Sequence, residues 1–184
     1  AGYVLTLHRD EVDAVVFEDH VARARSLLAS GQPDRVRFLV DRAQLLWRGD
    51  PYADIADWPP VLSEVDRLRE LRRDVDEIVV EAELGLGLHE QAVPELVGLV
   101  RAEPNREHRW ALLALAQYRS GRQADALSTL HRAREHLVCA LGVDPGPEVN
   151  ALVEAVLRQD PALDEVTGPS APPPEVCPYP GLAP

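Results

Sequence analysis

The chain has no lysine, no methionine, two isoleucines (Ile55 and Ile78), two cysteines and nine aromatic side chains among 184 residues. Each scarcity excludes something. Without lysine, all 19 basic residues are arginine, and 31 acidic residues outnumber them to give a net charge of −12. Phosphate backbones demand clustered cations, so this segment alone is a poor grip for nucleic acid. The shortage of Lys, Met and Ile beside abundant Ala, Arg, Val, Gly and Pro reads as the codon bias of a GC-rich genome rather than as a functional code. Cys139 lies in a helical stretch and Cys177 in a proline-rich tail, which argues against a disulfide framework and fits a reducing, cytoplasmic setting. No apolar run approaches the roughly 20 residues of a membrane span, and no signal peptide is visible. Position 1 is Ala, so the segment reads as cut from a longer chain.

What is present is helical periodicity. AGYVLTL alternates like one short strand that cannot bury its own edges. From Asp13, Ala14, Phe17, Val21, Ala24 and Leu28 make one apolar stripe, ended by Gly31. Pro33 suits the first turn of a second helix, where its missing N–H costs nothing; Val36, Leu39, Val40 and Ala43 form its stripe. A long third helix starts near Pro60 and keeps helical spacing to Leu86. Its outer face mixes Arg67, Arg69, Arg72 and Arg73 with acids, including the pairs Glu70–Arg73 and Arg73–Glu77, and reads as a solvated, salt-bridged face. A fourth helix covers about His89–Glu103, with Pro94 tolerable only within the first turn or so. Asn105 is placed to cap a fifth, Arg106–Ser120. A sixth runs from Gln123 to Leu141, and a seventh begins at DPGPE. After Asp160, eight prolines in 24 residues read as linker.

Gly87 and Gly121 stand 34 residues apart, the tetratricopeptide period. Side chains follow the glycines. Ala126, Leu130 and Ala133 occupy the small, large and small positions after Gly121, and Trp110 stands at the large aromatic position before it. Ala92, Leu96 and Leu99 match after Gly87, and Val36, Val40 and Ala43 match weakly after Gly31. The spacing from Gly31 to Gly87 is 56, so 22 extra residues interrupt the repeat. The expected fold is all-α: a tetratricopeptide-like right-handed solenoid of about seven helices, preceded by a remnant strand and followed by a Pro-rich linker. Such stacks ordinarily bind another chain.

The interruption contains LWRGDPYADIADWPP (Leu46–Pro60), which holds Trp47, Tyr52 and Trp58 together with Asp50, Asp54 and Asp57. The aspartates lack calcium-loop spacing and its glycine. The main expectation is a crossover loop that packs Trp47, and Tyr52 with it, on the helices. Tyr52, Asp54, Asp57 and Trp58 are the candidate partner-contact group. Other chemistry finds little support. LGLGLH follows a helix and lacks the third glycine of a dinucleotide loop. His89-Glu90 begins like a zinc-protease motif, but Val93 stands where the second histidine belongs. His136 and Cys139 share a helix face with His131 nearby, but no second ligand pair accompanies them. The expectation is therefore no catalytic, cofactor-binding or metal residue and no small-molecule ligand.

Several segments together carry a family resemblance: EVDAVVFE (Glu11–Glu18), LLWRGDPYAD (Leu45–Asp54), RLRELR (Arg67–Arg72), EAELGLGLHEQAVPEL (Glu81–Leu96), EPNREHRWALLALAQYRSGRQADAL (Glu103–Leu127) and LGVDPGPEVNAL (Leu141–Leu152). In this order they resemble the bacterial transcriptional activation domain, the tetratricopeptide-like domain of SARP-type regulators of antibiotic pathways. AGYVLTL at the start resembles the GY-x-L strand that closes the family's upstream winged-helix DNA-binding domain, so the resemblance implies that residues 1–9 are the end of that domain and that 10–160 are the activation domain. It also implies that 161–184 lead toward a downstream ATPase domain, since EVCPYPGLAP resembles that junction in large members. The implied partners are RNA polymerase subunits, a second copy or adjacent domains of the same chain, with promoter DNA held by the upstream domain. A generic tetratricopeptide scaffold unrelated to transcription is the alternative.

Overall fold

The computed structural model describes residues 6–55 and 57–164. Seven helices follow one another: α1 Asp13–Ala29, α2 Pro33–Leu46, α3 Pro59–Gly85, α4 His89–Ala102, α5 Glu107–Arg119, α6 Gln123–Leu141 and α7 Pro147–Arg158. No strand occurs among the described residues. The expected strand and the proposed upstream remnant begin outside them, and Arg9–Glu11 form a short 3-10 turn. Most of the expected linker also lies outside, but its first residues, Pro161–Asp164, form a 3-10 turn docked by Leu163 on the last core cluster.

Three helical hairpins stack, α1–α2, α3–α4 and α5–α6, and α7 closes the row. Each helix packs on the next, and α1 on α3, α3 on α5 and α5 on α7 as well. One turn device repeats at all three hairpins. The N–H of Gly31, Gly87 and Gly121 bonds the carbonyls of Leu28, Leu84 and Tyr118. The following N–H, from Gln32, Leu88 and Arg122, reaches back to Leu27, Glu83 and Gln117 at 2.9 Å each. This paired closure needs a left-handed residue at the turn, and the three glycines supply it with φ of 69°, 79° and 75°. The 34-residue spacing of Gly87 and Gly121 is thus a repeat of backbone hydrogen bonding.

The core is shared between hairpins. Phe17, Val21, Val36 and Val40 pack on Val75 and Ile78 of α3. Further along α3, Val80 and Leu84 join Leu96, Trp110 and Leu113 in the next cluster. Ala114, Ala126 and Leu130 meet Val149 and Val156 of α7 in the last. Each fully buried leucine contributes about 1.5–3 kcal/mol, and no hairpin buries its own apolar face without a neighbour. The repeat residues take their expected places: Ala126, Leu130 and Ala133 are buried, and so is Trp110, whose Nε1–H donates to the Pro104 carbonyl at 2.8 Å.

The 22 extra residues divide between helix and loop. α3 has 27 residues where α5 has 13, and the rest lengthen the loop before α3. Three local expectations are corrected. Pro94 is the sixth residue of α4, beyond the first turn; the bond it cannot donate is the one to the Glu90 carbonyl, and both residues lie on the exposed face of the helix. Asn105 does not cap α5, whose N-cap is Arg106; its Oδ1 instead meets His136 Nε2 of α6 at 2.8 Å. Glu77 is not on the solvated face of α3 but buried, and Arg73 pairs with Glu70 and Glu103, both at 2.6 Å, rather than with Glu77.

Candidate partner-contact surface

The loop before α3 is held at its base and free at its tip. Trp47 ends α2 in an extended conformation. Its ring lies against Phe17 of α1, with centroids 5.4 Å apart and planes tilted by 49°. Arg48 pairs with Asp13 at 3.2 Å and Asp50 with Arg69 at 3.3 Å, so the loop is tied to both α1 and α3. Beneath it lies a cleft of about 590 Å³, with Val12, Phe17, Leu46, Trp47, Tyr52 and Leu68 among its walls.

Beyond Pro51 the side chains turn outward. Tyr52 has φ of 56° and is 42% exposed, so it lines the cleft beside Trp47 without being buried as the expected packing would have it. A 3-10 turn, Ala53–Ile55, follows, and the Trp58 N–H donates to the Ile55 carbonyl at 2.9 Å. Trp58 is the N-cap residue of α3 and makes no side-chain cap, because an indole has no acceptor; Pro59 and Pro60 fill the first two helical positions without an N–H to satisfy, and the Val61 N–H reaches the Trp58 carbonyl at 3.0 Å. Its indole is 56% exposed. Asp54 and Asp57 are exposed and enter no ion pair among the described residues. The four candidate residues, Tyr52, Asp54, Asp57 and Trp58, are therefore together on one surface loop.

Sequence reasoning did not locate the most highly organised polar site, between the first helices of the hairpins. Arg109 is 2% exposed. Its Nε donates to Glu77 at 2.8 Å, it pairs with Glu103 at 2.9 Å, and it reaches the carbonyls of Leu99 and Arg73. Arg106 grips Glu77 at 2.7 Å, Asp74 at 2.9 Å and Glu70. Arg25 of α1 also holds Asp74. Burial pushes the Glu77 carboxyl up, but Arg106 and Arg109 outweigh it and hold the group below the ordinary carboxylate range. His108 lies between Glu81 of α3 at 2.7 Å and Glu148 of α7 at 2.8 Å. The Glu81 bond, opposed by burial and reinforced by Glu148, pushes the imidazole up to about 9. Both ring nitrogens therefore donate, and His108 is a cationic bridge across three helices. A signal for Arg109 was present: it opens the run RWALLALA, which has no polar face, and a charge in such a helix must find buried partners.

These groups saturate one another rather than converge on a reacting centre. Among the described residues, no group of three or more His, Cys, Asp and Glu side chains could hold a metal ion. His136 is engaged with Asn105, and Cys139 is an exposed thiol. No described helix is long and apolar enough to cross a membrane.

Stacked hairpins with a repeated glycine turn, saturated internal charge and an exposed aromatic, acidic loop define a helical-repeat protein of the interaction type. Comparison with known proteins narrows the class. A family described as the bacterial transcriptional activator domain matches residues 12–157, and the chain belongs to it. It is 36% identical over 162 residues to the regulatory protein AfsR of Streptomyces griseus, covering 88% of this chain and 16% of that protein. It is 35% identical over 171 residues to the regulatory protein DnrI of Streptomyces peucetius, covering 93% of this chain and 62% of that protein. The chain thus spans less than two thirds of the length of either. The structure of Mycobacterium tuberculosis EmbR in complex with a low-affinity phosphopeptide superposes with a TM-score of 0.79 at 30% identity, covering 89% of this chain and 44% of that one.

Proposed function

We propose that this chain is the activation and interaction module of a DNA-binding regulator of secondary-metabolite genes. It supports assembly of the DNA-bound regulator and contacts RNA polymerase, a second copy or neighbouring domains of the same polypeptide. The observation that carries this reading is the family match over the whole helical stack. The charge distribution agrees: with a net charge of −12 the module does not track phosphates, and sequence reading belongs to a separate, upstream winged-helix domain. The module performs no catalysis and works in the cytoplasm. The loop of Tyr52, Asp54, Asp57 and Trp58 is the surface assigned to partner contact, because aromatic side chains with a polar rim are what protein interfaces use. A gel-shift assay tests the division of labour. The regulator carrying its upstream domain should bind its promoter specifically and this chain alone should not; strong specific binding by the chain alone would refute the proposal.

A further inference from the structure

Most arginines here are matched by carboxylates; among those with no ion pair in the described residues, Arg101 and Arg132 stand elsewhere in the stack, whereas Arg23, Arg35 (bonded only to the Gln32 amide at 2.9 Å) and Arg42 belong to the first hairpin. They gather on one side of the first hairpin. A groove of about 480 Å³ between α1 and α2 has Arg23, Leu27, Arg35, Phe38 and Leu39 in its walls. The Arg42 guanidinium lies over the Phe38 ring, 5.7 Å from its centroid. Phe38 is 65% exposed, and Leu45, two turns further along the same helix, is 78% exposed. An arginine-rich, apolar groove on a chain of net charge −12 calls for a partner that brings carboxylates and apolar side chains together. A phosphate backbone supplies negative charge but no apolar side chains. The chain carries the complement itself: Asp54 and Asp57 are unpaired among the described residues, and Ile55 and Trp58 beside them are exposed.

We propose that a second copy of this chain is the partner, its Asp54, Ile55, Asp57 and Trp58 docking in the groove between α1 and α2. This rests on the reading of the loop as a partner-contact surface and names its occupant. Since each copy carries both halves, two copies satisfy one another reciprocally about a twofold axis. The pairing excludes wrong partners by charge sign and gains its contact area from Trp58, Phe38 and Leu45.

Sedimentation equilibrium on the 184-residue chain tests it, with two charge-reversed variants, R35E/R42E and D54R/D57R. All four positions are exposed, so both variants keep the helical CD spectrum. The wild-type chain should dimerise with concentration, and each variant should dimerise at least about tenfold more weakly, since like charges replace the attractive pairs at both contacts of the twofold dimer. An equimolar mixture of the two variants should recover wild-type affinity, because in the mixed pair both contacts are attractive again. Three results would overturn the proposal: a chain monomeric at submillimolar concentration, a variant that dimerises like wild type, or a mixture no tighter than its components. If the chain stays monomeric while Trp58→Ala still abolishes activation in the regulator, self-docking is wrong and the partner-contact reading of the loop stands.

Discussion

Replacing Arg109 by alanine strikes the most buried charge in the stack. The guanidinium is 2% exposed and engages Glu77 of α3, Glu103 after α4 and two backbone carbonyls. Removing one partner of a buried ion pair costs about 3–5 kcal/mol, because the other charge is left in a poor solvent. Here neither carboxylate is stranded: Glu77 keeps Arg106 at 2.7 Å, and Glu103 keeps Arg73 at 2.6 Å. The loss therefore falls at the low end of that range, about 3 kcal/mol, including the packing of the arginine stem. In a chain of this size, that lowers Tm by roughly 6–12 °C. Urea unfolding followed by far-UV CD measures it directly, as a drop in midpoint at unchanged slope. The acid limb should change too. Glu77 is held below its ordinary 4.5, so its contribution is present above that value and is lost as pH falls through the lowered one. With Arg109→Ala that limb becomes shallower. A loss of less than about 1 kcal/mol, typical of surface substitutions, would refute the view that α3 and α5 are joined through this charge.

His108 should give the opposite pH dependence. Its pKa is raised from 6.5 to about 9, so its stabilisation is complete below 6.5 and lost as pH rises through 9. Solvent screening of the partly exposed ring limits this to about 1–2 kcal/mol, and His108→Gln should flatten the slope between those pH values in unfolding experiments. Gly121→Ala should cost about 1–2 kcal/mol through backbone strain alone, since φ is 75° and an added Cβ meets nothing within 4 Å. Gly85→Ala should be close to neutral, within about 1 kcal/mol of the wild type, because the helix-propensity gain of about 0.5–1 kcal/mol is set against an added Cβ lying 3.1 Å from Pro33 Cβ, which must give by a few tenths of an ångström. Thermal unfolding of both variants beside the wild type distinguishes the two outcomes.

The seven helices were legible because apolar side chains recur at helical spacing and because Gly31, Gly87, Gly121 and Gly142 mark their ends with left-handed turns. The repeat was legible for the same reason, since a fixed glycine spacing repeats a fixed hydrogen-bonded closure. The candidate loop was legible as a break in that pattern, and Trp58 does stand exposed. Tyr52 was legible only in part: it lines the cleft beside Trp47 but stays 42% exposed, and spacing alone does not tell a half-buried aromatic from a buried one. The charged seam was not legible. Glu77 and Arg73 are four residues apart on one helix, and local spacing pairs them, whereas the partners that bury Glu77 are on α5, about thirty residues away. Asn105 was misplaced as a cap by one residue, since α5 begins at Glu107 with Arg106 before it, and its contact with His136 of α6 lies 31 positions away, beyond the reach of local spacing.

The central claim is that this helical stack makes protein contacts for a regulator whose DNA grip lies elsewhere, and that the exposed loop is one of those contacts. The measurement that bears on it most directly is in-vitro transcription from the regulator's promoter with Trp58→Ala, run beside footprinting of the same promoter. The indole is 56% exposed and makes no cap bond, so the fold should be unchanged, and both assays are run at regulator concentrations that saturate the promoter. Transcript yield should fall severalfold, since an exposed tryptophan is the kind of side chain that anchors an interface. Full activation by the Trp58→Ala regulator at a saturated promoter would contradict the account.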